Sequence, residues 1–171
     1  MTLPEFPQQA SGSTAAQDAP ARQPPLKFEP TLLPRLRATH AALNARFGEI
    51  AGTIDRDPAV TARMIEECAR QFTAVRHIET IWVYPMLARA VESDSGARAQ
   101  LAELRLIGLI LARRMLRCFD DSQQALRVGV YVAEAVAQVA AALARYSRHS
   151  ENAIYPLYEL IGEPRPNAQV A

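Results

Sequence analysis

Two short stretches concentrate the side chains able to do chemistry. Arg76-His77-Ile78-Glu79 runs on to Tyr84-Pro85, and Arg148-His149-Ser150-Glu151 runs on to Tyr155-Pro156. Imidazole nitrogens and carboxylate oxygens are ligands for iron, zinc and similar metals. A His-x-Glu followed closely by Tyr-Pro, twice in one chain, reads as two related helices able to carry such ligands inward. The spacing limits that reading. Residues two apart on a helix point about 200° apart, so if Glu79 faces in, His77 faces out. His149, three residues from Tyr146, lies on the flank of its helix and reaches the core edge, and Glu151 lies further round. Neither tripeptide can deliver both its residues to one interior site.

The elements that position these residues are helices. Leu33, Leu36, His40, Leu43, Phe47, Ile50 and Ile54 recur at three- and four-residue steps, one face of a first helix. Thr31 is its expected cap, and Gly52 with Asp55-Arg56-Asp57-Pro58 closes it. Asp57 should cap the second helix, with Pro58 at its first position. Its stripe runs Ile65, Cys68, Phe72, Val75, Glu79, Trp82, Met86, and it ends near Val91. The third carries Leu101, Leu104, Gly108, Leu111, Met115 and Cys118, with Asp120-Asp121-Ser122 as the next turn and cap. The fourth carries Val128, Val132, Ala135, Val139, Ala142, Tyr146, Ser150 and Ala153, and runs to about Ile161. Pro85 and Pro156 should kink the second and fourth helices, because each removes a backbone hydrogen bond. The expected fold is all-α, an up-down-up-down antiparallel four-helix bundle over residues 31–162. Residues 1–30, holding half of the 12 prolines, read as a disordered tail, and 163–171 as a flexible C-terminus.

Polar residues on the apolar stripes mark the candidate interior site. His40 and Glu79 break the pattern clearly, Tyr146 and Ser150 more mildly. A buried carboxylate beside a buried imidazole has a plain structural account, a His–Glu hydrogen bond that offsets part of the burial cost, closed by a phenol such as Tyr146. Trp82 reads as core, and Gly108 either as a gap that lets a bulky neighbour such as Trp82 approach or as the opening of a small cavity.

These residues resemble the hemerythrin-like family, also called HHE cation-binding domains, over roughly Leu32 to Ile161. Leu36-Arg37-Ala38-Thr39-His40-Ala41-Ala42-Leu43 looks like its first helix with the leading ligand His. Glu79 through Tyr84-Pro85-Met86-Leu87 is similar to its "E…LFPxL" ending of helix two. Glu103-Leu104-Arg105-Leu106-Ile107 looks like its "EHRLI"-type third helix, and Ser150 through Ile154-Tyr155-Pro156-Leu157 like its second "EE…LFPLL" ending. The resemblance implies two non-heme irons between the helices, used to bind oxygen or to sense redox state or iron. Carried over residue by residue, the family's ligands fall on His40, present; on Val75 and Glu79, the His lost and the Glu kept; on Leu104, lost; and on Tyr146 and Ser150, both replaced. A one-residue irregularity such as a π-bulge in the fourth helix would turn His149 or Glu151 inward.

The resemblance therefore implies a degenerate diiron site, with iron held weakly or not at all, and a non-enzymatic binding or regulatory module. The alternative is a working non-heme iron protein for oxygen binding or redox sensing, using His40, Glu79, Tyr146 and His149 as substitute metal ligands. No glycine-rich phosphate loop or nucleophile motif points to a catalytic residue. With 19 basic and 18 acidic residues, net charge +1, neither nucleic acid nor an anionic membrane is the expected partner. No stretch reads as a membrane span or a secretion signal, which places the chain in the cytoplasm. Cys68 and Cys118 fall on apolar stripes as buried reduced thiols. Leu106, Ile107, Leu109 and Ile110 make the third helix apolar around much of its circumference, implying deep burial or a homodimer contact.

Overall fold

In the computed structural model, residues 27–162 are described, and the regular structure among them is helical. Helix α1 spans Leu32–Ala51, α2 Pro58–Ile78, α3 Tyr84–Ala90, α4 Ser95–Val128, α5 Val132–His149 and α6 Tyr155–Gly162. A π-helical turn, Glu79–Val83, joins α2 to α3, and a second, Ser150–Ile154, joins α5 to α6. The result is four rods: α1, α2–α3, α4 and α5–α6. Helix α1 packs on α2 and α5, α4 packs on the same two, and α3 meets α6.

Local chemistry explains most of the boundaries. Asp57 accepts from the backbone N–H groups of Ala59 and Val60 at 3.0 Å, with Pro58 first in α2, and Asp94 caps α4 through the Ala97 N–H at 3.0 Å. Thr31 occupies the cap position of α1 but does not cap; its hydroxyl donates to Glu29 at 2.8 Å. The turn expected at Asp120-Asp121-Ser122 is absent, because α4 continues through it to Val128. Ser122 is buried and bonds back to the Phe119 carbonyl at 2.7 Å, and the two aspartates sit in solvent, so nothing there competes with the helix. The break falls at Gly129, φ 71°, and Tyr131, φ 59°. Val128 therefore ends α4, exposed, and does not belong to the fourth rod.

Two apolar clusters fill the interior. One gathers Leu43, Phe47, Ile65, Phe72, Met115 and Leu143, the other Leu33, Leu36, Val83, Leu87, Ile154 and Tyr158. Fully burying each such side chain is worth roughly 1.5–3 kcal/mol. Cys68 and Cys118 are free and buried, and burial pushes the Cys68 thiol up to about 11. Residues 1–26 and 163–171, read as tail and C-terminus, lie outside the described residues. Of the expected tail, residues 27–30 do engage the protein: Phe28 stacks on Tyr158 with ring centres 5.0 Å apart, and the Glu29 N–H donates to the Tyr158 hydroxyl at 3.3 Å.

Candidate functional site

The two prolines build the backbone of the site. A proline lacks an N–H, and its ring clashes with the carbonyl four residues back. Instead of a kink, each is preceded by a π turn: the Tyr84 N–H donates to the Glu79 carbonyl, and the Tyr155 N–H to the Ser150 carbonyl. Each π turn inserts one residue and shifts the helix phase. Beyond Glu79 the inward position passes from Trp82 to Val83. Val83 is fully buried and Trp82 is 41% exposed, so the tryptophan expected in the core lies on the surface. Beyond Ser150, Ile154 and Tyr155 turn inward, and Ala153 is only half-buried.

Glu79 is the centre of the site, 1% exposed. The Tyr146 hydroxyl donates to its Oε2, and the Tyr155 hydroxyl donates to its Oε1 at 2.7 Å. Tyr146 belongs to one apolar cluster and Tyr155 to the other, so the carboxylate sits where the two meet. Burial, then the negative charge of Glu79, push both phenols far above their ordinary range, so they keep their protons and act as donors. Two donors on a carboxylate offset its desolvation, which is what an interior anion requires.

His40 is the unsatisfied member, 2% exposed. Its Nε2 lies 4.0 Å from Glu79 Oε1, too far for a hydrogen bond, and neither ring nitrogen has a partner among the described residues. The His–Glu bond expected from the sequence is thus replaced by a pair of tyrosine–Glu bonds. Burial lowers the His40 pKa, opposed only in part by Glu79, so the ring is neutral at physiological pH. Its neighbours are the rings of Tyr146 and Tyr155, each with its centre 5.9 Å away. An orphaned buried polar group costs about 1–3 kcal/mol.

The remaining candidates stay apart. His149 Nε2 donates to the Leu104 carbonyl at 3.0 Å, because the second π turn begins one residue after it and leaves it on the flank. Glu151 pairs with Arg37 at 2.8 Å, and Arg37 also binds Glu159 at 2.6 Å, tying α1 to the end of the fourth rod. His77 is exposed. Val75 is buried and Leu104 half-buried, two hydrocarbon side chains beside the site. Among the described residues no three His, Cys, Asp or Glu side chains come together in a way that could hold a metal ion. A pair of iron ions takes more donors than His40, Glu79 and the protonated phenols of Tyr146 and Tyr155 supply, so the residues present do not fit a dinuclear centre. Tyr155 is the member that sequence reasoning missed. Five residues beyond Ser150, it lies on the far side of a regular helix but about one turn on in a π turn. Gly108 does open a gap, though for different neighbours: a Cβ there would meet the Tyr84 hydroxyl at 2.8 Å and His149 Nε2 at 3.3 Å.

Comparison of the chain with protein-family models, with curated proteins and with solved structures returned no match.

Proposed function

We propose that the chain is a hemerythrin-like bundle with a degenerate diiron site, acting as a non-enzymatic binding or regulatory module in the cytoplasm. The observation that carries this reading is that both oxygens of Glu79, the best-matched carboxylate, are engaged by tyrosine hydroxyls. Val75 and Leu104 stand where the family has histidines, and hydrocarbon cannot ligate iron. The arrangement inferred with it is up-down-up-down and antiparallel. The closed ring of helix contacts and the short connections Gly52–Asp57, Val91–Asp94 and Gly129–Tyr131 support it. No helix among the described residues is long and apolar enough to cross a membrane. Leu106 and Ile110 of α4 are more than half exposed and Ile107 is exposed, which favours a contact between two copies through this face over deep burial. Solution scattering over a concentration series tests that contact.

One observation favours a second reading, a non-heme iron protein with substitute ligands. His40 is buried with both ring nitrogens unpartnered beside a carboxylate, the setting a cation would relieve. Tyr146 and Tyr155 would then have to lose their protons, which their raised pKa values oppose until a cation is present. Anaerobic reconstitution with ferrous iron, followed by metal analysis and an optical spectrum on admitting air, separates the two. No retained iron is the expected result. About two irons per chain, with near-ultraviolet oxo-bridge bands, would overturn the degenerate-site reading.

A further inference from the structure

Two clefts run along the same side of the molecule, and they differ in charge. The first, about 570 Å³, lies between the second rod and α4 and is lined by Arg76, Thr80 and Tyr84 on one wall and by Arg98, Arg105 and Gly108 on the other. Tyr146, whose hydroxyl binds Glu79, also lines it. The second, about 530 Å³, lies between α3, α4 and α6, lined by residues such as Leu87, Leu104, Leu157 and Ile161. Among the described residues lining it, Gln100 is the one polar side chain and none is charged. Val91 and Leu101 line both clefts, so they meet.

The arginines have no other evident employment. None of Arg76, Arg98 and Arg105 pairs with a carboxylate among the described residues. Arg105 lies over the Tyr84 ring, its guanidinium carbon 5.9 Å from the ring centre, which holds the cation against the cleft wall. The Tyr84 hydroxyl points at Gly108, where the missing side chain keeps the wall open. A cleft with three cations and two hydroxyls, continuing into a cleft of hydrocarbon, matches an amphipathic anion. The head finds guanidinium donors, and the tail covers apolar surface that is otherwise wet.

We propose that these joined clefts bind a long, unbranched apolar chain carrying a single anionic head, a carboxylate or a phosphate. The head lies at Arg76 and Arg105, and the chain runs past Leu101 and Val91 into the second cleft. The site stands whether or not iron is held at Glu79.

The test is isothermal titration of the full chain, stripped of metal by a chelator, with octanoate, dodecanoate, dodecyl phosphate and dodecanol, each below its micelle concentration. Affinity should rise about fourfold per methylene from octanoate to dodecanoate. Dodecanoate should bind at least tenfold more tightly than dodecanol, and Arg105→Glu should remove that advantage without weakening dodecanol. Ala102→Trp and Ala88→Trp, at exposed positions lining the first cleft, should each lower dodecanoate affinity at least tenfold while the helical circular dichroism is kept. A tighter fit for dodecyl phosphate would assign the head to a lipid phosphate, and a tighter fit for dodecanoate to a free acyl chain. Equal binding of dodecanol and dodecanoate, unchanged affinity in both folded tryptophan variants, or no binding of dodecanoate at millimolar concentration would each overturn the proposal.

Discussion

The two rod endings share a backbone and part company in chemistry. Each has a five-residue π turn followed by Tyr-Pro: Glu79–Val83 before Tyr84-Pro85, and Ser150–Ile154 before Tyr155-Pro156. Aligned on Tyr-Pro, Glu79 stands opposite Ser150, Val83 opposite Ile154, and Tyr84 opposite Tyr155. The His-x-Glu tripeptides are then out of step by one residue. What repeats in this molecule is the proline-adapted π turn, not a pair of ligand sets. One turn supplies a buried carboxylate, the other leads into Tyr155, one of the two tyrosines that hold it. Tyr155 spends its hydroxyl on Glu79, whereas Tyr84 turns its hydroxyl towards Gly108 and the open cleft. Burial pushes the Tyr84 phenol up to about 12, with Glu79 adding to the rise, so it too stays protonated.

Deletions break this comparison hardest. If the π turns carry one surplus residue, removing exposed Asn152 should keep the inward phase on both sides, at the cost of about 3 kcal/mol for seating Pro156 in a regular helix. Removing exposed Gln138, in the regular part of α5, should swing every later inward residue by about 100° and prevent cooperative unfolding. Urea titrations of the two deletions decide it, and equal damage would mean that the π turn holds no spare residue. Next in size is the double change Tyr146→Phe with Tyr155→Phe. It leaves Glu79 without donors and should cost about 3–5 kcal/mol. Undiminished stability would show that Glu79 does not depend on the tyrosines. Single changes sharpen the contrast between the matched tyrosines. Tyr155→Phe should cost about 1–3 kcal/mol, and Tyr84→Phe within about 0.5 kcal/mol, both by urea melts.

The remaining effect, set by pH, concerns His40. Its folded pKa is lowered, so the unfolded chain takes up the proton more readily. The neutral ring's contribution is intact above the unfolded value of about 6.5 and is lost as pH falls towards the folded value, at no more than about 1.4 kcal/mol per pH unit. His40→Leu should flatten the stability profile between pH 7 and 5.5. An unchanged slope would assign it to other groups.

The apolar stripes, the Asp57-Pro58 start and the inward placement of His40 and Glu79 could be read from periodicity and capping chemistry alone. They rest on interactions within one or two turns. Trp82, Val83 and Tyr155 could not, because a single inserted residue changes the phase of everything after it without leaving a mark in composition. The Asp120–Ser122 run misled for another reason. Turn-forming side chains are tolerated mid-helix when they face water or bond back to their own backbone, and packing along α4 outweighs their preference. Arg76, Arg98 and Arg105 stand apart in the sequence, and only the pairing of α4 with the second rod brings them to one cleft.

The three-residue link Gly129–Tyr131 has a consequence in time. It joins α4 to α5, the most extensively packed pair of helices, so the largest set of tertiary contacts is also the most local in sequence. The bonds that hold Glu79 close loops of 67 and 76 residues. Short loops cost less entropy to close than long ones. The α4–α5 hairpin is therefore the expected nucleus, and the tyrosine–glutamate centre a late addition. Changes at Tyr155 should then quicken unfolding and leave the refolding rate nearly untouched, whereas cavity-forming changes at Met115 or Leu143 should slow refolding. The buried carboxylate would act less as a foundation of the fold than as its latch.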